Sequence, residues 1–505
     1  MNWTGDNKKL TYSAIYSLFI LGNLLLGVQL WAVDLYAFVF GLLIINKLQW
    51  ESKSELLYNF VLLFAIMDFT FNLPVGHFNV YYLHIALFIL TVSMFIEFMR
   101  RRKTWSLKSL AQNRYLLFLS IFILYMILSL LWVTHLKAAL KYMVDYAIMI
   151  CFALAVYRYN PNLAKLKQTV KFLFFLTVPA LFMGLLEILD IRMPVRNIFI
   201  DEGWYAKGPY YLKTIPTVFW YNPNNFGTFL VLAMSFILAG IAFAKERKIR
   251  WGLGILQVAI LINIIFSTSR TAYITMLVTM LGFLIYFSVT REKEKRKRAF
   301  AWVLVTLVVF YSLSFVPQLD VYFGKFNNTE FLNKLSFHGS YHPTPIVAYG
   351  DQGSTSERYT ILVDVVKGVL LKGHPEGFGV ANTPFYIGSK ENTFGITNVH
   401  SLWFEILGDF GVGIFLYWIF IYLSLLWALL KRCRLSRTRA PYSFMSFLYL
   451  GLLAALAGFI LTSFAPSSVI NFTEMWLLLS LAVLVVNKGE KFLAEDKGEI
   501  FERSL

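Results

Sequence analysis

Three side chains in the second half of the chain are of types that can handle a phosphate-linked group: Arg270, Arg358 and His400. Arginine carries a fixed, planar charge whose donors match phosphate oxygens. A histidine poised near neutral pH can take up or release a proton. Position alone leaves other readings open for each. Arg270 lies in Ser267-Thr268-Ser269-Arg270-Thr271, a polar break between two apolar runs, where a snorkelling or loop-capping arginine is as natural as an anion ligand. Arg358 follows Ser354-Thr355-Ser356-Glu357 and precedes a helical pattern with Ile361, Leu362, Val365 and Val366 on one side. A solvated loop charge fits it as well as a ligand does. His400 opens an amphipathic stretch, His400-Ser401-Leu402-Trp403-Phe404-Glu405, that leads into Gly408-Asp409-Phe410-Gly411-Val412-Gly413. Interfacial or structural histidines are the commoner occupants of such a place.

Other residues widen the choice. His374, in a turn-like Gly-His-Pro, is a second candidate base. His338 and His342 have i,i+4 spacing, but Gly339 and Pro343 argue against a helix and so against a metal pair. Cys/His metal spacings, Walker, GxGxxG and HExxH motifs are absent, and no DxD occurs in the loops, so no metal or other cofactor is expected. Arg192, Arg196, Lys207 and Lys213 make an earlier loop basic, which suits an anionic donor, lipid headgroups or plain solvation. Trp204, Tyr205, Tyr210, Tyr211 and Trp220 in that region suit sugar stacking or a membrane interface. Lys141 and Asp145, four apart in an apolar run, are expected to pair, and Asp68 and Glu187 are intramembrane acids that would suit a proton-coupled transporter.

The elements that must position these residues follow from composition. The 505-residue chain is 58% hydrophobic, 18% aromatic and only 15% charged, with mean hydropathy +0.61. A soluble protein carries about 25% charged residues, and the deficit here runs along the whole chain. The formal charge of +17 does not indicate nucleic acid, because the basic residues fall in short clusters between apolar runs. Two cysteines, Cys151 in an apolar run and Cys433 in a basic loop, are not expected to form a disulfide. Runs of about 20 apolar residues recur near 11–31, 33–48, 56–73, 79–99, 115–133, 138–157, 170–190, 225–244, 251–268, 271–290, 299–317, 410–430, 443–463 and 472–487. The expectation is an all-α, polytopic membrane helix bundle of about 12–14 spans. Most basic residues then fall on one side if both termini are cytoplasmic. That leaves two outer loops, 191–222 and 318–409, the second long enough to carry short helices and function. The expected divisions are 1–190, 191–317, 318–409 and 410–505.

Taken in order, Asn222-Pro223-Asn224-Asn225-Phe226-Gly227, Ser269-Arg270-Thr271-Ala272, Arg358 with Gly373-His374-Pro375-Glu376-Gly377-Phe378-Gly379, and His400-Ser401-Leu402 with Gly411-Val412-Gly413 resemble the O-antigen ligase and polymerase superfamily over roughly 215–465. The resemblance implies a multispan glycosyltransferase in the cytoplasmic membrane of bacteria. Such an enzyme moves a glycan from a polyprenyl diphosphate donor to a hydroxyl of an acceptor glycan. Its implied setting is cell-surface polysaccharide synthesis, alongside the lipid bilayer and other assembly proteins. It implies that Arg270 and Arg358 bind the donor diphosphate and that His400 is the acceptor's base. Asn224, Arg192, Arg196, Lys213 and His374 are weaker candidates for holding diphosphate or glycan. The family pattern has Asn after the histidine where this chain has Ser401. The motifs do not separate a polymerase from a ligase. The competing class is a transporter or flippase of lipid-linked glycans.

Overall fold

The computed structural model describes residues 5–27, 31–67, 70–75, 78–100, 113–191, 197–290, 292–327, 347–466 and 469–496. Each of the fourteen apolar runs folds as a helix. They are α1 (Gly5–Leu25), α2 (Trp31–Lys47), α3 (Lys53–Met67), α4 (Tyr82–Arg100), α5 (Arg114–Leu128), α6 (Leu136–Arg158) and α7 (Leu163–Ile188), then α8 (Pro223–Phe243), α9 (Arg247–Ser267), α10 (Arg270–Val289) and α11 (Lys293–Ser314). Three short helices follow, α12 (Asp320–Asn327), α13 (Ser354–Val366) and α14 (Thr383–Gly388), before α15 (Leu402–Arg439), α16 (Phe444–Thr462) and α17 (Thr473–Glu495). A small antiparallel hairpin, β1 (Asn72–Val75) and β2 (Phe78–Tyr81), pairs Leu73 with Val80 ahead of α4.

Among the described residues, ten helices are long and apolar enough to cross a membrane. The four others are α1, α2, α3 and α17. At 17 and 15 residues, α2 and α3 fall short of the usual length. Lys8 and Lys9 dilute α1, and Lys488, Glu490, Lys491 and Glu495 end the apolar part of α17 early. α8 is the centre of the bundle: 89% of its apolar window is buried, against 22–44% for most of the others. It packs chiefly on α16 and α9.

The long loop is a small cap with its own core of Ile361, Val365, Val369, Phe378, Ile387, Val399 and Leu407. Backbone bonds fix it to the bundle. The Phe378 and Gly379 N–H groups donate to the Gly408 and Asp409 carbonyls (2.7 and 3.0 Å), and Val412 N–H donates to the Pro375 carbonyl (2.8 Å). The buried Asp409 carboxylate gathers the next turn, accepting from Ala381 N (2.8 Å), Thr383 N (3.1 Å) and Thr383 Oγ1 (2.6 Å). Asn382 Oδ1 accepts from the backbone N–H groups of Thr134 and His135 (3.1 and 2.8 Å), tying the cap to the α5–α6 turn.

Residues 402–409, inside the stretch 318–409, are helical and form the start of α15. α15 is 38 residues long and breaks at Gly411, where φ is 69° and ψ −172°. A side chain there would collide with the Pro375 carbonyl, and one at Gly377 would meet Gly411 N at 2.5 Å. The glycines therefore let two backbones touch. Gly411→Ala is expected to cost about 1–3 kcal/mol of stability, read as a lower melting temperature of the detergent-solubilised protein.

Candidate functional site

The four sequence motifs meet at the cap-bearing end of the bundle. A tight turn joins α9 to α10: Thr268 has left-handed backbone (φ 52°), and the Tyr273 hydroxyl donates to the Ile265 carbonyl (2.6 Å) and the Tyr322 carbonyl (3.2 Å). Arg270 is thereby the first residue of α10. Asn222 caps α8 through Asn224 N (2.8 Å), and Gly227 lies so close to α10 that an added Cβ would be 3.1 Å from Ala272 Cβ and 3.2 Å from Ser269 Cβ. Arg270 Nη1 donates to Thr355 Oγ1 (2.6 Å) in the first turn of α13. Leu402 N–H donates to the Ser463 carbonyl (3.3 Å), seating the start of α15 against the end of α16. The first turns of α8, α10, α13 and α15 thus lie at this end of the bundle, where a helix N-terminus carries a partial positive charge.

Into this positive end the fold sets Arg270, Arg358 and His400, together with one residue that the sequence did not single out, Lys325. Arg358 continues the inward stripe of Ile361 and Val365 on α13 and is half-buried, so it is not a solvated loop charge. Burial and the neighbouring Arg270 charge both work against its cation, with Glu357 opposing. Lys325 is on α12, whose Tyr322, Phe323 and Phe326 are anchored in the core. Its side chain reaches the surface, yet protein crowds the ammonium. This desolvation, followed by the Arg270 and Arg358 charges, lowers its pKa. No carboxylate among the described residues forms an ion pair with Arg270 or Arg358. Like charges held together in this way are able to receive an anion.

His400 has left-handed backbone (φ 54°), a conformation that costs a non-glycine residue about 1–3 kcal/mol and often marks a functional position. Its ring hydrogen bonds to the Pro466 carbonyl, and burial followed by the Arg358 charge pushes its pKa down to about 4. Nδ1 is buried with no hydrogen-bond partner, so the ring's other nitrogen carries the N–H and Nδ1 presents a lone pair. Ser401 Oγ and Ser269 Oγ are likewise buried and unpartnered.

The weaker candidates are placed elsewhere. Asn224 stands at the start of α8 beside the Ser269–Ala272 turn. Lys213 lies over the Tyr210 ring (5.9 Å) in a 3-10 turn, Tyr210–Thr214, that joins α12 through Thr214 and Tyr322. His374 is exposed and faces Glu376 (3.7 Å), outside the cation cluster. Arg192, Arg196, Asp68, His338 and His342 lie outside the described residues. Trp220 is fully buried, donating to Glu474 (2.6 Å), so it is core rather than a sugar platform. Glu187, the acid that suited a transporter, instead accepts from Thr217 and Val218 N–H (2.8 and 3.0 Å) and shapes that loop. Lys141 and Asp145 face one cavity without an ion pair within 4 Å. Lys325 gave no sequence signal, since only tertiary packing brings α12 to the arginines.

The His400 geometry predicts an NMR titration of the labelled imidazole with a midpoint near pH 4. In Arg358→Ala the midpoint should rise, because removing a like charge eases imidazolium formation. An unchanged midpoint would separate the two side chains.

Comparison with known proteins agrees with this arrangement. Residues 255–419 match the O-antigen ligase family model, a span that holds Arg270, Lys325, Arg358 and His400. The chain is also 24% identical to the teichuronic acid biosynthesis protein TuaE of Bacillus subtilis (strain 168) over 374 residues, which is 74% of this chain and 71% of that protein. These matches support a role in cell-surface polysaccharide biosynthesis and a glycan-transferring enzyme in general. With the motifs at one end of an all-helical membrane bundle, they support a likeness of the chain to the O-antigen ligase and polymerase superfamily.

Proposed function

We propose that this protein transfers a glycan from a polyprenyl diphosphate carrier to a hydroxyl of an acceptor glycan, on the non-cytoplasmic side of the membrane. The observation that carries the reading is the convergence of Arg270, Arg358 and Lys325 with helix N-termini, beside a histidine whose buried Nδ1 has no hydrogen-bond partner among the described residues. Sidedness is supported by the opposite end of the bundle. There basic residues are built into helix ends: Arg298 donates to the Ala244 carbonyl (2.8 Å) and Arg437 to the Thr290 carbonyl (3.1 Å), as the positive-inside rule favours.

In the proposed reaction the acceptor oxygen attacks the anomeric carbon as its proton passes to His400 Nδ1. The bond from that carbon to the diphosphate breaks, and the leaving group departs with the electron pair. Negative charge grows on the diphosphate, where Arg270, Arg358, Lys325 and the helix N-termini stabilise it. The cations of the chain serve where other sugar transferases use a metal, so transfer is expected to persist in EDTA.

A base whose conjugate acid has a pKa of about 4 is always free of its proton but weak. Binding the anionic donor offsets the cations beside it and lifts that pKa towards the ordinary 6.5 or so. The acid limb of kcat should therefore lie at higher pH than that of kcat/KM for the donor. The relative is a teichuronic acid biosynthesis protein, and we propose that this chain extends a polysaccharide, as a polymerase.

The test incubates purified protein with a lipid-diphosphate oligosaccharide and measures chain length. Arg270→Ala and Arg358→Ala should each lower kcat by about 10²–10³, and His400→Ala by about 10²–10⁴, without loss of the folded protein. Full activity in His400→Ala would overturn the assignment of the base.

A further inference from the structure

A polar cavity lies apart from the cation cluster, at the same end of the bundle. It is lined by Tyr81, His84, Lys141, Asp145, Asn471 and Thr473, with Leu83 and Met149, and has a volume of about 150 Å³. That is below the range usual for a whole small-molecule ligand, about 300–1,000 Å³, so it has room for only a small part of a glycan. Lys141 and Asp145 are five and nine residues into α6, so the cavity reaches roughly 7–14 Å below the helix start. Polar groups at that depth in an apolar helix are costly and usually mark a function.

These groups are not consumed by the fold. Among the described residues, the side chains of Lys141, Asp145 and Asn471 form no hydrogen bond, and Lys141 and Asp145 form no ion pair within 4 Å despite their i,i+4 spacing. Tyr81 and His84 stand edge to face (5.1 Å), giving an aromatic wall. Thr473, by contrast, is fixed, donating to the Ala65 carbonyl (2.9 Å). The open set holds a cationic donor, a carboxylate acceptor, an amide that can do both and an aromatic ring. This mixture matches the alternating donors and acceptors of vicinal sugar hydroxyls.

Ser463 accepts the Leu402 N–H and Pro466 accepts from the His400 ring. Val469 donates to Glu405, and Asn471, five residues beyond Pro466 in the chain, lines the cavity. In an in-line displacement the acceptor enters from the side of the base, opposite the departing diphosphate.

We infer that this cavity is a subsite for sugar residues of the acceptor glycan, with Lys141, Asp145 and Asn471 as its hydrogen-bonding groups. The inference rests on the proposed transfer reaction for the word acceptor, but binding can be read without turnover. The probe is lipid-free repeat-unit oligosaccharide, released by mild acid from the prenyl diphosphate glycans of the source cells. It is presented to the full-length protein in nanodiscs, and binding is read by saturation-transfer NMR. Lys141→Gln, Asp145→Asn and Asn471→Ala, each with its melting temperature checked, should weaken binding at least about tenfold, as expected for a lost charge-assisted hydrogen bond. In the transfer assay they should raise KM for this acceptor by a similar factor, leaving kcat and the donor KM within about twofold.

Unchanged oligosaccharide binding in all three variants would overturn the subsite. So would a rise in donor KM alone, or a fall in kcat at constant acceptor KM. If the wild type binds oligosaccharide through these residues yet transfers nothing, the subsite stands and the transferase reading fails. Transfer at wild-type KM in the variants does the reverse.

Discussion

Positive charges do not gather without a reason, and in this chain the fold gathers them. Arg270, Arg358 and Lys325 sit within Coulombic range of one another at the edge of an apolar bundle, with helix N-termini at the same end. At partly desolvated sites such repulsion is worth kilocalories, so packing elsewhere must hold the arrangement. The anchors are visible: Tyr322, Phe323 and Phe326 pin α12, Ile361 and Val365 pin α13, and the Thr268 turn pins Arg270. An anion arriving there meets donors already in place, and relieves strain that folding has already met. Preorganisation of this kind is worth most where charge grows during a reaction.

The rest of the motif residues serve that arrangement rather than touching an anion. Gly377 and Gly411 let the cap and α15 approach backbone to backbone, and Asp409 satisfies the N–H groups of Ala381 and Thr383. Asn382 then locks the same turn to the α5–α6 connection. The consequence is a cap that cannot slide over the bundle without breaking buried hydrogen bonds, each expensive to leave unmade. Arg358, carried on that cap, is held in register with Arg270 and His400, which belong to the bundle. The glycines and the aspartate therefore bear on electrostatics through geometry.

How much of this was legible in the sequence depends on which residues signal locally. Apolar runs announce helices, and all fourteen are there, because a run of about 20 residues needs no partner to be recognised. The start of α15 was only partly legible: the apolar run begins at 410, whereas the helix begins at Leu402 and is kinked at Gly411, where the backbone is non-helical. Arg270, Arg358 and His400 were visible through their motifs. Lys325 was not, since nothing within α12 distinguishes it until Tyr322 and Phe326 have packed. Trp220 misled for the same reason. An aromatic near a span end looks interfacial, and its burial depends on Glu474, 254 residues away. Composition carries the local code, whereas charge clusters and buried pairs are properties of the assembled fold.

The histidine joins these threads. Burial and the Arg358 charge hold His400 neutral well below physiological pH, with its N–H turned to Pro466 and Nδ1 buried without a partner among the described residues. Such a ring is available but reluctant, since the same cations that attract an anion oppose the imidazolium that catalysis would form. On the proposed reaction this opposition becomes useful. Before the donor binds, proton abstraction is unfavourable, and an acceptor hydroxyl that arrives early is not activated. Once the diphosphate is bound, its charge screens Arg358 from the ring, and the base gains strength at the moment a leaving group is in place. One set of charges thus binds the donor and times the base, which needs no moving part and follows from the spacing of the side chains alone.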